Sequence, residues 1–102
     1  MQEVVFSVRV ARPIQQYIVN LAGASRKCGY LSAGVSPRGS AALLRASQGW
    51  AAFAGRSFVI PEDVQQLAPH VWGQRVLLRP DDGIQSGREA ISRLLKSVPV
   101  PL

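Results

Sequence analysis

The sequence is poor in the residues that build metal and redox sites. It contains one cysteine, Cys28, and one histidine, His70. A lone cysteine cannot form an intramolecular disulfide, and the two residues together fall short of the ligands of a structural zinc site. No sequence context supports Cys28 as a nucleophile with His70 as its base. We therefore interpret Cys28 as a small filler and His70 as a residue on a helix face, and we predict no metal ligands.

The sequence also lacks a long apolar run. No stretch approaches the roughly 18 residues that a membrane-spanning helix needs. The first residues include Glu3, where a signal peptide has basic residues. We therefore predict a cytoplasmic protein with no membrane partner. With 102 residues, of which 47% are apolar and 18% charged, the chain has the length and composition of a single folded domain.

Acidic residues are scarce. Six Asp and Glu stand against twelve Lys and Arg, which gives a net charge of +6. Such an excess favours nucleic-acid binding when the cations line one face, because Lys and Arg neutralise phosphates. Here the cations are spread along the chain in runs no longer than two. This spread argues against a nucleic-acid partner, and a stand-alone basic helical module that binds DNA is kept as the alternative function.

Helix signals recur along the chain. Three helices are predicted, each from a proline at or next to its first residue followed by apolar residues at helical spacing: Arg12 to about Lys27, Pro37 to about Ala54, and a third from Pro61. Within the third, Pro69 either kinks the helix or begins a second short one. A fourth helix is predicted from about residue 87 to residue 97. The spacing also places aromatic residues on apolar faces, where we expect core packing: Trp50, Phe53, Phe58 and Trp72.

Two short segments favour extended structure. Residues 58–60 and 76–78 are rich in β-branched and other apolar residues, so they are candidates for a two-stranded ribbon that leans on the helices. Residues 4–10 alternate like a strand but are also compatible with the end of a helix, and both interpretations stay open. The predicted fold is mainly α, with four helices and a short β ribbon.

Residues 34–41 (GVSPRGSA) form the most suggestive motif. Their glycine spacing is that of a P-loop, but the lysine and the preceding strand of a P-loop are missing. Ser36 is suited to cap the second helix and Pro37 to begin it, which puts Arg38 in the first helical turn. A guanidinium at the positive end of a helix dipole suits a phosphate oxygen. The alternative is a solvated surface arginine.

Further motifs follow one another in order along the chain. They comprise residues 17–26, the stretch GVSPRG at 34–39, residues 55–64, residues 67–71 and residues 75–79. In this order they resemble the C-terminal lid of MoxR-type AAA+ ATPases, whose signature is Gly-[Ala or Val]-Ser-Pro-Arg. The resemblance covers nearly the whole chain.

This resemblance implies a four-helix AAA+ lid in which Arg38 is the sensor 2 arginine that reaches the γ-phosphate of ATP. It also implies a group of nucleotide-binding residues: Val35, Ser36, Pro37, Tyr17 and Ile18. The Walker A, Walker B, sensor 1 and arginine-finger motifs of the family would precede residue 1. The segment alone is therefore not expected to hydrolyse ATP.

The resemblance further implies a larger parent protein, a chaperone-like hexameric ATPase that uses ATP and Mg²⁺. Residues 1–102 would be its single lid domain, since residues 98–102 resemble the family's C-terminus. The lid would contact its own N-terminal AAA+ core domain and neighbouring subunits of the ring. The parent would act with von Willebrand A domain proteins in maturing client enzymes or inserting their metal cofactors.

Overall fold

Four helices and a two-stranded antiparallel ribbon make up the part of the chain that the computed structural model describes, residues 8–80 and 83–101. The elements in chain order are α1 (Arg12–Lys27), β1 (Leu31–Ala33), α2 (Pro37–Phe53), α3 (Pro61–Trp72), β2 (Leu77–Leu78) and α4 (Gly87–Leu95). The predicted mainly α class with four helices and a short ribbon is confirmed.

Local signals set where the helices begin. Proline occupies one of the first two positions of α1, α2 and α3, where its missing amide costs no helical hydrogen bond. Ser36 caps α2 by accepting a hydrogen bond from the Gly39 amide at 3.2 Å. Ser86 caps α4 in the same way, through the Glu89 amide at 3.1 Å. Gly55, with φ of +82°, follows the end of α2, as expected for a C-terminal glycine.

The third helix lies between two others. It packs against α2 on one side and α4 on the other, and it buries Val64, Ala68 and Trp72. It continues through Pro69 to Trp72, so the predicted alternative of a second helix starting at Pro69 is not formed. The shared core draws on all four helices and the ribbon: Tyr17, Leu21, Leu31, Leu43, Val64, Trp72, Ile91 and Leu94.

The ribbon does not pair the segments that the sequence suggested. Strand β1 pairs with β2 in an irregular register, with Leu31 opposite Leu78. Residues 58–60, the predicted partner of β2, instead run beside the N-terminal segment, where Phe58 forms a single parallel bridge with Arg9. The prediction was wrong because tertiary contacts decide which strands pair, and β1 is too short to stand out in the sequence. Residues 4–7 of the ambiguous N-terminal segment lie outside the described residues.

Three aromatic residues that the sequence placed in the core are at the surface. Trp50, Phe53 and Phe58 are 37%, 86% and 51% exposed, whereas Trp72 is fully buried. Trp50 and Phe53 stack on each other, with ring centroids 6.1 Å apart and planes inclined by 24°. The buried stripe of α2 runs through Leu43 and then, in the second half of the helix, through the small residues Ser47 and Ala51.

Candidate functional site

The loop before α2 is fixed to the end of α1 through both backbone groups of Val35. The Val35 amide donates to Ser25 Oγ at 2.8 Å, and Arg26 Nη1 donates to the Val35 carbonyl at 2.6 Å. Ser25 Oγ in turn donates to the Ala22 carbonyl at 2.6 Å. Both Ser25 and Val35 are fully buried. Two adjacent residues of α1 thus hold the residue that precedes the α2 cap.

Two glycines of the GVSPRG stretch are required by close packing. A Cβ atom at Gly34 would lie 2.6 Å from the Ser25 carbonyl carbon and 2.7 Å from the Arg26 nitrogen. A Cβ at Gly39 would lie 2.7 Å from Val35 Cγ1. These contacts are too short for a side chain, so the glycine spacing that resembles a P-loop serves to pack the loop and the first turn of α2.

Arg38 is the second residue of α2, in the first turn that the sequence predicted for it. Its side chain is exposed, and within residues 8–80 and 83–101 it makes no hydrogen bond or ion pair. The first turn of α2 contains no acidic residue. Arg38 therefore adds an uncompensated positive charge to the positive end of the helix dipole, an arrangement that suits an incoming anion.

The other predicted nucleotide-binding residues fall into two groups, one exposed to solvent and one buried. Ser36 and Pro37 are exposed beside Arg38, and the Ser36 hydroxyl is engaged in capping. Three are buried in the core: Val35, Tyr17 and Ile18. Of these three, only Val35 belongs to the loop that leads into α2, and adenine contact by any of the five stays a prediction.

Two adjoining apolar grooves run along the contact between α1 and α2. One measures about 200 Å³ and is lined by Gln15, Ile18, Val19, Ser40, Ala41 and Leu44. The other measures about 230 Å³ and is lined by Val19, Ala22, Arg26, Pro37 and Ser40. Of the predicted residues, Ile18 lines the first groove and Pro37 the second. Apolar surface thus continues from the first turn of α2 along both helices.

The end of α3 supports the first turn of α2. The buried Trp72 side chain donates from Nε1 to the Gly39 carbonyl at 2.8 Å. Arg75 follows in the next turn, where its amide donates to the Trp72 carbonyl at 2.9 Å, and its Cδ would lie 3.6 Å from a Cβ at Gly39. These contacts of Ser25, Arg26 and Trp72 were not predicted from the sequence. For Ser25, the only local signal in the sequence was a serine on the buried face of a helix close to its end.

The start of α3 holds an ion pair in which the Asp63 carboxylate is buried and the Arg56 guanidinium is partly exposed. Arg56 binds Asp63 through two hydrogen bonds of 2.7 and 2.6 Å, and the Ile60 amide donates to the same carboxylate at 2.9 Å. Burial acts to raise the pKa of Asp63, but the hydrogen bonds from Arg56 and the Ile60 amide outweigh burial and hold that pKa below its ordinary value. Asp63 is therefore a structural carboxylate rather than a proton carrier.

The described ranges, 8–80 and 83–101, contain no cluster of three His, Cys, Asp or Glu side chains that could hold a metal ion. Cys28 is half-buried, with its Sγ 3.4 Å from the Ser25 carbonyl oxygen, and His70 is exposed on α3. In the same part of the chain, none of the helices has the length and apolar character needed to cross a membrane.

Comparisons with known proteins identify relatives over most or all of the chain. The chain is 41% identical over 106 residues to the uncharacterized protein YeaC of Bacillus subtilis, a match that covers 100% of this chain and 32% of YeaC. It is 31% identical over 113 residues to Chaperone MoxR1 of Mycobacterium tuberculosis, covering 99% of this chain and 30% of that protein. With Protein MoxR of Methylorubrum extorquens the identity is 35% over 71 residues, covering 67% and 21%.

A solved structure and a family model agree with these relatives. The fold superposes with a TM-score of 0.89 on the crystal structure of an ATPase candidate from Cytophaga hutchinsonii, at 26% identity, covering 99% of this chain and 34% of that one. The chain thus spans about a third or less of the relatives it matches. Residues 23–94 match the model of the AAA lid domain. The chain therefore belongs to the AAA lid domain family, and it is a lid of the MoxR type.

Proposed function

We propose that this chain is the lid of a MoxR-family AAA+ ATPase, which closes over ATP and Mg²⁺ bound on a core domain that precedes it in the full-length protein. The observation that carries the proposal is Arg38. Its guanidinium is exposed and has no partner within the described ranges, and the loop before its helix is held by Ser25 and Arg26. The backbone that carries Arg38 is thus held in place, while its guanidinium is available to bind a phosphate.

Arg38 supplies positive charge to the γ-phosphate in this proposal. Water would cleave the terminal phosphoanhydride bond of ATP bound with Mg²⁺ on the core domain, and Arg38 would bring its positive charge to the phosphate oxygens on which negative charge develops. Ser25 and Arg26 tie the loop to α1, so Arg38 moves together with α1 and α2. Loss of the γ-phosphate removes the partner of Arg38 and so couples the nucleotide state to rotation of the lid.

The proposal extends to the parent protein. We infer a cytoplasmic, chaperone-like ATPase that forms a hexameric ring, in which the lid contacts its own core domain and neighbouring subunits. The name of the Mycobacterium tuberculosis relative, Chaperone MoxR1, supports the chaperone part of this inference. Partners with von Willebrand A domains and clients that receive metal cofactors complete the proposed role.

The test is the Arg38→Ala substitution in the complete polypeptide that carries this lid. We expect ATP turnover to fall by about 100-fold, the order of loss seen when one preorganised charge-stabilising donor is removed. The matched control is Arg12→Ala, since Arg12 is also an exposed arginine in the first turn of a helix. Melting temperatures of both variants should equal that of the wild type.

Wild-type turnover in the Arg38→Ala variant would overturn the proposed role of this residue. A polypeptide without ATP turnover that binds duplex DNA more tightly than about 10⁻⁶ M at physiological salt would instead establish the DNA-binding alternative.

A further inference from the structure

The chain enters the lid through a short segment that is fixed to the rest of the domain. Val8 is buried, and its carbonyl accepts a hydrogen bond from Gln48 Nε2 at 3.0 Å. The Arg9 amide donates to the Ser57 carbonyl at 2.9 Å, and the Val59 amide donates to the Arg9 carbonyl at 2.9 Å. These three hydrogen bonds hold the entry segment in one position, so the polypeptide that precedes it approaches the lid at this edge.

A groove with an exposed phenylalanine lies beside the entry segment. It measures about 450 Å³ and is lined by residues of both strands of the bridge: Arg9, Val10, Ala11, Ser57, Phe58 and Val59. Phe58 is 51% exposed although it is paired with Arg9 in the parallel bridge. A large apolar side chain at a groove of this kind is the usual anchor of a protein contact, because covering it removes apolar surface from water.

The length of chain outside the lid indicates what covers this groove. The lid accounts for 32% of YeaC and 30% of Chaperone MoxR1, so most of each relative lies outside it. In the proposed function the core domain precedes residue 1. The seven residues before Val8 span at most about 25 Å even when fully extended. The core domain is therefore held within reach of the groove in every nucleotide state.

We propose that this groove is the surface on which the lid docks against the core domain of its own polypeptide, with Phe58 as the apolar anchor. The inference rests on the proposed function and deepens it, since it assigns the contact with the core domain to named residues. Arg38 is the second residue of α2, whereas Phe58 follows the other end of that helix. The docking contact does not involve Arg38, so it persists when no nucleotide is bound.

The experiment measures how fast iodoacetamide alkylates a thiol introduced at the groove, in the complete polypeptide without nucleotide. The variant is Phe58→Cys, and the control is Phe53→Cys, the same change at a side chain that is 86% exposed and does not line the groove. Shielding by the lid alone, 51% against 86% exposure, accounts for no more than about a twofold difference in rate. Mass spectrometry of the modified peptides separates these thiols from any other cysteine.

We expect alkylation at position 58 to be slower than at position 53 by about tenfold or more, because a covered thiol reacts only while the interface is open. Ser57→Cys is a smaller change in the same groove and should react slowly too, which keeps the test valid if Phe58→Cys lowers the melting temperature.

Three outcomes would overturn the inference. Equal rates at positions 58 and 53 would show that the core domain does not cover the groove, and a loss of ATP turnover in Arg38→Ala would then leave the proposed function standing. Slow alkylation at position 58 that becomes fast on dilution to single subunits would assign the groove to a neighbouring subunit. Slow alkylation in a polypeptide that neither binds nor hydrolyses ATP would show that another kind of domain covers the groove, and both proposals would fail.

Discussion

Replacing Trp72 by Phe tests how strongly the end of α3 holds the first turn of α2. The substitution removes the indole N–H that donates to the Gly39 carbonyl at 2.8 Å and leaves a gap in a fully buried site. The lost hydrogen bond costs about 1 kcal/mol. The lost burial of about two ring carbons costs a further ~1.6 kcal/mol, at ~0.8 kcal/mol per carbon. We therefore expect the free energy of unfolding to fall by about 2–3 kcal/mol.

Urea unfolding followed by circular dichroism measures this difference without relying on tryptophan fluorescence. The matched control is Trp50→Phe, the same chemical change at a side chain that is 37% exposed and stacked on Phe53. A surface change of this kind should cost no more than about 0.5 kcal/mol. Equal losses in the two variants, or a loss below about 1 kcal/mol for Trp72→Phe, would refute the argument that the Trp72–Gly39 contact fixes this turn.

Three further substitutions probe other parts of the fold. Gly34→Ala should lower the free energy of unfolding in urea by about 1–3 kcal/mol, because the new Cβ would lie 2.6 Å from the α1 backbone. The control is Gly49→Ala, where nothing lies within 4 Å of the new Cβ and the free energy of unfolding should rise by about 0.5–1 kcal/mol. A change of the same sign in both variants would contradict the steric argument. The pKa of Asp63 is lowered in the folded state by Arg56, so this pair stabilises the fold above the unfolded pKa and ceases to do so as the pH falls through the folded pKa. Unfolding free energies measured from about pH 6 to pH 2 should therefore fall less steeply for Asp63→Asn than for the wild type, and parallel curves would disprove the linkage. The Ser47 hydroxyl is buried and has no hydrogen-bond partner among the described residues, so Ser47→Ala should raise the free energy of unfolding by about 1 kcal/mol and with it the melting temperature. A lower melting temperature would show that the hydroxyl has a hydrogen-bond partner in the folded protein.

Local signals in the sequence were enough to predict the helices and the position of Arg38. Proline at the start of a helix, and the Ser36 cap, act within a few residues of where they occur, so they can be recognised without the fold. The same signals fixed Arg38 in the first turn of α2, before any tertiary contact was known.

Features that depend on distant contacts could not be predicted in this way. Helical spacing identified an apolar face that included Trp50 and Phe53, but which face becomes covered depends on how α3 packs, and the buried stripe runs through Ser47 instead. The ribbon joins segments more than forty residues apart. The Trp72–Gly39 hydrogen bond spans 33 residues.

The uninterrupted course of α2 makes it a lever arm. Its 17 residues span about 25 Å at 1.5 Å per residue, with Arg38 near one end and the exposed, stacked Trp50 and Phe53 near the other. A rigid tilt of about 10° about the Arg38 end would displace the aromatic end by about 4 Å, more than the width of an atom. A change too small to disturb the core around Ser25 and Val35 would thus be amplified at the aromatic end of α2.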